Sequence, residues 1–260
     1  MSSLSYAVRD SSTMLRRNLL RMRRYPSLTL MLIGIPVILL LLFVYVFGGT
    51  LGAGLGGAGG RMQYANYVAP GILLMTVAGT AQGTAISVAM DMTEGIIARF
   101  KTMAIFRPSV LTGHVLGYLI QTMLSFAVVI AVAMLVGFRP NATVVEWVAA
   151  AGVLTMITFA VIWFAVACGL VTKSVETASN LPMPLMLLPF LGSGFVPTDS
   201  MPTAVRWFAE YQPFTPVIET LRGLLLGTSI GNNAILAVAW SLVITVASYL
   251  WSRKLYNRDR

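Results

Sequence analysis

The chain has 260 residues, a formal net charge of +9 and a mean hydropathy of +0.80, with 57% hydrophobic and only 10% charged residues. This composition excludes an ordinary soluble domain and indicates one bundle of membrane-spanning helices. Nucleic acid is not an expected partner, because the Lys and Arg residues flank apolar runs instead of covering one face. We expect these residues to set the topology and to meet anionic lipid. The single cysteine, Cys168, excludes a disulfide framework and a cysteine-based metal site.

Residues 1–27 are predicted to form an amphipathic helix that lies at the membrane interface. Six arginines and one acid, Asp10, occur between residues 2 and 24. Apolar residues recur near helical spacing among them: Leu4, Val8, Leu15, Leu19 and Met22. This pattern is typical of a helix whose arginines face anionic lipid. A disordered basic tail is the alternative.

Six apolar runs are predicted to cross the membrane, since about 20 apolar residues suffice for a helical span. They are residues 28–47, 67–90, 115–136, 148–171, 177–195 and 233–250. The first run exceeds the apolar region of a signal peptide, so we expect an uncleaved span.

A glycine-rich segment, a pair of glycines and a short turn accompany these runs. Residues 48–60 are too rich in glycine for a stable helix, which predicts a flexible external loop. Gly79 and Gly83 have GxxxG spacing, which permits close helix contact. Residues 138–143, FRPNAT, predict a short turn between the third and fourth spans.

Residues 91–114 form the only interior segment where charges of both signs crowd together. Apolar runs flank the segment on both sides, so it is predicted to lie at a membrane surface and to face a partner there. His114, the single histidine, stands at the end of a span. One histidine cannot build a metal site or a proton relay, so we expect an interfacial position for it.

The distribution of basic residues predicts the orientation of the chain. Fourteen of the 18 Lys and Arg residues fall in the N-terminal region, the 91–114 segment, the loop with Lys173 and the C-terminal region. Basic residues favour the cytoplasmic side, so both termini are predicted to be cytoplasmic.

Residues 196–231 lie on the opposite side and are predicted to form a re-entrant helical hairpin. Four prolines interrupt the segment, yet residues 205–211 and 217–226 have helical, apolar patterns. Irregular backbone at membrane depth requires burial in protein or a water-filled cavity. An exposed loop is the alternative. Glu219 and Arg222 have i,i+3 spacing, which predicts an ion pair.

The sequence contains no recognisable catalytic site. It has no GxxxxGK[ST] nucleotide-binding motif and no nucleophile elbow. No predicted span has an ionisable residue at its middle, whereas ion-coupled transport requires such groups. The chain is therefore predicted not to be an enzyme by itself, and either a partner supplies its energy or it does no active work.

Two stretches resemble known proteins. EGIIARFKTMAIFRPSVLTGHVL, residues 94–116, resembles the cytoplasmic coupling segment of ABC-2-type permeases. PLMLLPFLGSGFVPTDSMPTAVRWFAEYQPFTPVIETLRGLLLG, residues 184–227, resembles their C-terminal signature. The whole chain is similar to the daunorubicin/doxorubicin-resistance permease group of actinobacterial exporters. The implied fold is all-α, with six transmembrane helices, an N-terminal interfacial helix, a cytoplasmic coupling helix and a re-entrant hairpin before the last span.

The resemblance implies a permease subunit of the bacterial plasma membrane that exports hydrophobic or amphipathic small molecules. Two copies would assemble as a homodimer on two ATPase subunits, which would bind ATP and magnesium, while this chain would bind no cofactor and no metal. The first, second and fifth spans would line the dimer interface and the route. The resemblance assigns the coupling role to Glu94, Gly95, Arg99, Phe100, Lys101, Met103, Arg107 and Pro108. The external gate would comprise Pro197, Pro202, Pro213, Pro216, Glu219 and Arg222.

Three alternatives stay open. The charges of residues 91–114 would merely mark the cytoplasmic side if the segment does not couple. A second alternative, within the same family, is export of a lipid or lipid-linked glycan. The modest aromatic content argues against a glycan channel. A membrane assembly protein without transport activity is the third.

Overall fold

A computed structural model describes residues 3–24, 26–55, 60–96 and 108–256. Of these residues 84% are helical and none lies in a strand, which confirms the predicted all-α class. Five helices in this part of the chain are long and apolar enough to cross a membrane.

The described residues form ten α-helices. They are α1 (Ser3–Arg24), α2 (Pro26–Leu42), α3 (Gly48–Gly54), α4 (Gly60–Thr93), α5 (Pro108–Val136), α6 (Val144–Val171), α7 (Val175–Asn180), α8 (Thr203–Tyr211), α9 (Phe214–Leu226) and α10 (Asn233–Tyr256). A π-helical turn, Phe43–Phe47, joins α2 to α3, and short 3₁₀ turns occupy Met183–Met186 and Thr198–Ser200.

Helices α4 and α6 form the centre of the bundle. In the apolar window of α4, 78% of residues are buried, and in that of α6, 72%, against 17% for the Thr29–Gly54 helix and for α10. Small side chains recur along the buried faces of α4, among them Ala78, Ala81 and Ala85. In lipid no hydrophobic force drives helices together, so their association depends on close packing. Small residues permit that packing where two helices meet.

The two central helices approach each other closely at Gly169 of α6. A Cβ atom added there would lie 2.7 Å from the carbonyl oxygen of Ala85 and 2.8 Å from Cβ of Val88, both on α4. Gly152, on the same helix, has no such neighbour within 4 Å in the described part of the chain. Gly169 therefore fixes the separation of α4 and α6, whereas Gly152 does not.

We expect Gly169→Ala to destabilise the protein by about 1–3 kcal/mol, the usual cost of overpacking. Gly152→Ala is the matched control and should gain up to about 1 kcal/mol from helix propensity. Thermal unfolding of both purified variants in detergent measures the difference. Equal melting temperatures for the two variants would contradict this account of the α4–α6 contact.

The glycine-rich segment differs from its prediction as a flexible loop. Gly48–Gly54 is helical, and Gly60 already begins α4, while residues 56–59 lie outside the described part. A Cβ atom on Gly52 would lie 2.1 Å from the carbonyl oxygen of Gly60. The glycines thus allow α3 to pack directly against the start of α4, which offsets their poor helix propensity.

The predicted fifth span is not a continuous helix. After α7 the chain makes 3₁₀ and other tight turns as far as Phe195. Pro182, Pro184 and Pro189 supply no backbone N–H for an α-helical ladder, which accounts for the interruption. The segment nevertheless runs antiparallel to α4. Gln82 donates a hydrogen bond to the carbonyl of Ser179, and Tyr64 donates one to that of Phe195.

These two α4 contacts are 18 residues apart, which is about 27 Å of helix. Residues 179–195, called here the broken segment, therefore follow the path expected of the fifth span without its regular hydrogen bonding. The six-span layout reduces to five continuous helices and this segment.

Helices α8 and α9 occupy the region predicted as a re-entrant hairpin. Pro202 and Pro213 stand at their N-caps, and Pro216 lies in the first turn of α9, where a missing N–H is tolerated. Ten of the 13 residues of α9 are buried, and α9 packs against α4, α6 and α10. An exposed loop, the alternative considered from the sequence, does not describe α9.

Candidate functional site

A groove runs along one face of α4, and its apolar part is a cavity of about 240 Å³. Residues of α2, α4, α5 and the broken segment line the cavity. Most of them are apolar or small: Met31, Leu32, Ile35, Pro36, Met75, Gly79, Gly83, Ile86 and Met186. Thr80, Gln82, Tyr118 and Gln121 add polar atoms, and no charged side chain lies among the lining residues that the structure describes. The cavity suits an uncharged, largely apolar group.

The polar lining groups are mostly held by neighbouring helices. Thr80 and Thr122 share a hydrogen bond of 2.8 Å between their hydroxyls, and Tyr118 donates one of 3.0 Å to the carbonyl of Gly83. Gln121 donates through Nε2 to Thr29 at 2.7 Å, while its buried Oε1 has no partner among the described residues.

The GxxxG spacing of Gly79 and Gly83 predicted close helix contact. Neither glycine, however, contacts the backbone of another helix among the described residues. A Cβ atom on Gly79 would meet Cδ1 of Leu32 at 3.3 Å, and one on Gly83 would meet Cε1 of Tyr118 at 3.5 Å. Their missing side chains instead leave room for the cavity.

The groove continues toward the end of α4 that precedes the predicted coupling segment. A narrow cavity of about 30 Å³ shares Ile86, Tyr118 and Gln121 with the apolar cavity. The narrow cavity shares Arg21 and Met90 with a third, of about 620 Å³. That third cavity, called here the arginine cavity, is lined by Arg17, Leu20, Arg21, Arg24, Ser27, Met90, Asp91, Glu94 and Ile96. The groove thus passes from a charged mouth to an apolar interior.

A buried ionic cluster stands beside this mouth, formed by Arg17, Arg21, Asp91 and His114 and called here the Asp91 cluster. The Asp91 side chain is 1% exposed. It accepts hydrogen bonds from Arg17, from Nη1 of Arg21 at 3.1 Å, and from Nε2 of His114 at 3.0 Å. Arg21 also donates to Ser87. A buried carboxylate is strongly unfavourable without such partners.

The structure corrects two predictions at this cluster. His114 is 1% exposed and bonded to Asp91, so it is not an interfacial side chain. Arg17 and Arg21 turn toward Asp91 instead of facing outward, whereas Arg9, Arg16 and Arg23 are exposed. Asp91 was not among the functional residues predicted from the sequence. The signal was available, since Asp91 is the only acid within α4, and ionisable residues in apolar helices usually serve a function.

The predicted coupling residues are only partly described. Glu94 and Gly95 follow the last turn of α4, where Gly95 has φ +71°, and Pro108 begins α5. The remaining ones lie outside the described residues: Arg99, Phe100, Lys101, Met103 and Arg107.

At the other end of the bundle, Arg222 joins three segments. The predicted pair with Glu219 is present, at 2.5 Å from Nη1 to Oε1. Nη2 of Arg222 donates to the carbonyls of Tyr67 on α4 and Ser193 in the broken segment, at 3.1 and 2.9 Å. The guanidinium also lies 3.9 Å from the ring centroid of Tyr67. Arg222 and Glu219 border, with Pro197 and Asp199, an open cavity of about 540 Å³.

We expect Arg222→Gln to destabilise the protein by about 2–3 kcal/mol, because carbonyls of two segments lose a charged donor. Arg206→Gln is the matched control. Arg206 forms surface ion pairs with Glu210 and Asp199, which raise the pKa of its guanidinium, and such exposed pairs contribute little to stability. Thermal unfolding in detergent compares the two variants. An Arg206 variant as unstable as the Arg222 variant would contradict this assignment.

Comparison with known proteins identifies the family of this chain. The model of the family described as "ABC-2 type transporter" matches residues 10–226, which include α4, the Asp91 cluster and Arg222. The chain belongs to the ABC-2 type transporter family.

The relatives are permease proteins of drug-resistance transporters. The daunorubicin resistance ABC transporter permease protein DrrB1 of Streptomyces coeruleorubidus is 28% identical over 225 residues, which cover 86% of this chain and 77% of that protein. The probable doxorubicin resistance ABC transporter permease protein DrrC of Mycobacterium tuberculosis is 22% identical over 162 residues, covering 62% of this chain and 59% of that protein. The predicted resemblance to this permease group is confirmed. Membership in the family implies an ATPase partner subunit.

Proposed function

We propose that this chain is the membrane permease of an ATP-driven exporter that moves hydrophobic or amphipathic compounds out of a bacterial cell. A separate ATPase subunit would bind ATP and magnesium and hydrolyse the nucleotide. The groove along α4 would form the route, and the chain would lie in the plasma membrane with both termini cytoplasmic. The single observation that carries this proposal is the uncharged cavity of about 240 Å³ between α2, α4 and α5.

The chemistry of the cavity favours an amphipathic compound. Methionine and leucine side chains offer an adaptable apolar wall. The polar lining residues Thr80, Gln82, Tyr118 and Gln121 would meet a hydroxyl or amine of the compound. The absence of charge from this lining argues against a small hydrophilic ion as cargo.

A second copy of the chain would close the open side of the groove. Met31 and Ile35 line the cavity and are 60% and 40% exposed. Large apolar side chains are exposed nearby in the broken segment: Leu181, Met183, Leu187, Phe190 and Leu191. Two copies that meet through these faces would enclose one shared chamber, and α9 with Arg222 would bound its outer end.

Energy would reach the groove through the segment that follows α4. Glu94 borders the arginine cavity and begins the residues assigned to coupling. The ATPase would displace this segment, and the movement would be passed along α4, which lines the groove. ATP binding would thereby alternate the access of the chamber between the two sides.

The decisive experiment is co-expression of this chain with its candidate ATPase subunit, followed by purification and assay in liposomes. We expect a stable complex, hydrolysis stimulated by daunorubicin, and ATP-dependent accumulation of the drug inside inverted vesicles. Glu94→Ala should weaken the stimulation if the segment couples. The exporter assignment fails if no candidate ATPase associates with the chain.

Filling the cavity should block transport without removing the complex. Leucine at position 83 would project from a site whose nearest neighbour is Cε1 of Tyr118, so Gly83→Leu should reduce drug transport several-fold by occupying the route. Gly152→Leu adds the same side chain to an exposed position of α6 and is the control. The two variants are compared by drug uptake per assembled complex. Full transport by Gly83→Leu would place the route elsewhere.

The arginine cavity favours a second candidate, export of a lipid or lipid-linked glycan. Three arginines and two carboxylates line it, and the narrow cavity lies between it and the apolar part of the groove. An anionic headgroup with an apolar tail matches this arrangement. Stimulation of hydrolysis by anionic lipids, with no response to daunorubicin, would favour this candidate. A chain that forms no complex with an ATPase would instead be a membrane assembly protein.

A further inference from the structure

The Asp91 cluster connects three helices that are distant in the sequence. Arg17 and Arg21 belong to α1, Asp91 to the last turn of α4, and His114 to the second turn of α5. Asp91 and His114 are each 1% exposed, whereas the two arginines are 31% and 26% exposed. The carboxylate is thus the buried centre, and the arginines reach it from the side that faces the arginine cavity.

The cluster also closes the base of the predicted coupling segment. Asp91 stands three residues before Glu94, and His114 stands six residues after Pro108. The hydrogen bond between Asp91 and His114 therefore joins the helix that enters this segment to the helix that leaves it.

Helix α1 is held against the same base by close packing. A Cβ atom on Gly113 would lie 2.5 Å from Cβ of Met14, and one on Gly117 would lie 3.1 Å from Cβ of Asn18. Met14 and Asn18 are buried on the face of α1 that meets α5. The packing sets the position of α1 on α5, and the two arginines attach the same helix to α4.

We propose that Asp91 is a positioning residue for energy coupling, which holds α1, the end of α4 and the start of α5 together as one moving unit. This inference rests on the proposed function. The carboxylate keeps its partners during the movement, because a buried charge that loses them has no water to replace them. Helix α1 then moves with the coupling segment, and the arginine mouth of the groove moves relative to α2.

The experiment compares Asp91→Asn with the wild type in the purified complex with the ATPase. The amide has the shape of the carboxylate but lacks its charge, so the arginines are no longer held. We expect the complex to assemble and the ratio of daunorubicin-stimulated to basal hydrolysis to fall at least about fivefold, within the range of coupling between protein sites. Drug transport should fall in parallel, and Asp91→Glu should restore part of both.

Two further variants separate coupling from folding. Arg17→Gln with Arg21→Gln should reproduce the loss, while Arg16→Gln, which removes an exposed charge from the same helix, should not. Spin labels at Ser12→Cys and Arg253→Cys report the position of α1 on the bundle without the ATPase. Asp91→Asn should broaden their distance distribution.

The outcomes are distinct. Failure of the wild-type chain to bind any candidate ATPase refutes the proposed function. An associated Asp91→Asn complex with wild-type stimulation and transport overturns the present inference. The inference is also overturned if the losses only match a fall in the amount of folded protein, or if the label distances are unchanged.

Discussion

A polar group buried in an apolar bundle is stabilised only by partners inside the protein, because lipid supplies none. This constraint determines where the irregular parts of the chain lie. The broken segment is held along α4 by Gln82 at one end and by Tyr64 at the other. Arg222 binds a carbonyl of the same segment together with one of α4. Side chains of regular helices thus take over hydrogen bonds that the broken segment cannot make to itself.

The same constraint explains why charge and cavity lie together. Asp91 can be buried only where basic groups reach it, and two of these come from a helix at the edge of the bundle. The arginines must therefore stand where the groove begins. Further along α4, small residues and paired hydroxyls replace the charges, and the groove becomes apolar. One helix thereby carries a gradient from charged to apolar surroundings along its length.

The sequence was sufficient to predict the helical class, the membrane environment and the family, because long apolar runs and motif residues carry those signals directly. The Glu219–Arg222 pair also followed from spacing alone. The partners of Asp91 could not be predicted, since they come from 70 and 74 residues away in one direction and 23 in the other. Gly48–Gly54 was misjudged because propensity argues against a glycine helix, while its packing against Gly60 decides in favour. The prolines of the broken segment stand in the sequence, but the prediction of a continuous span followed its high hydropathy instead.

The π-helical turn at Phe43–Phe47 has a geometric consequence for the first span. A π turn accommodates one more residue than an α turn, so the helix after it is rotated by about 100° relative to an uninterrupted α-helix. This rotation directs Gly48 and Gly52 toward the start of α4, where they are buried. Side chains before the turn, such as Met31 and Ile35, face the groove. The inserted residue thus acts as a phase shift, which lets one continuous span serve two different surfaces at its two ends.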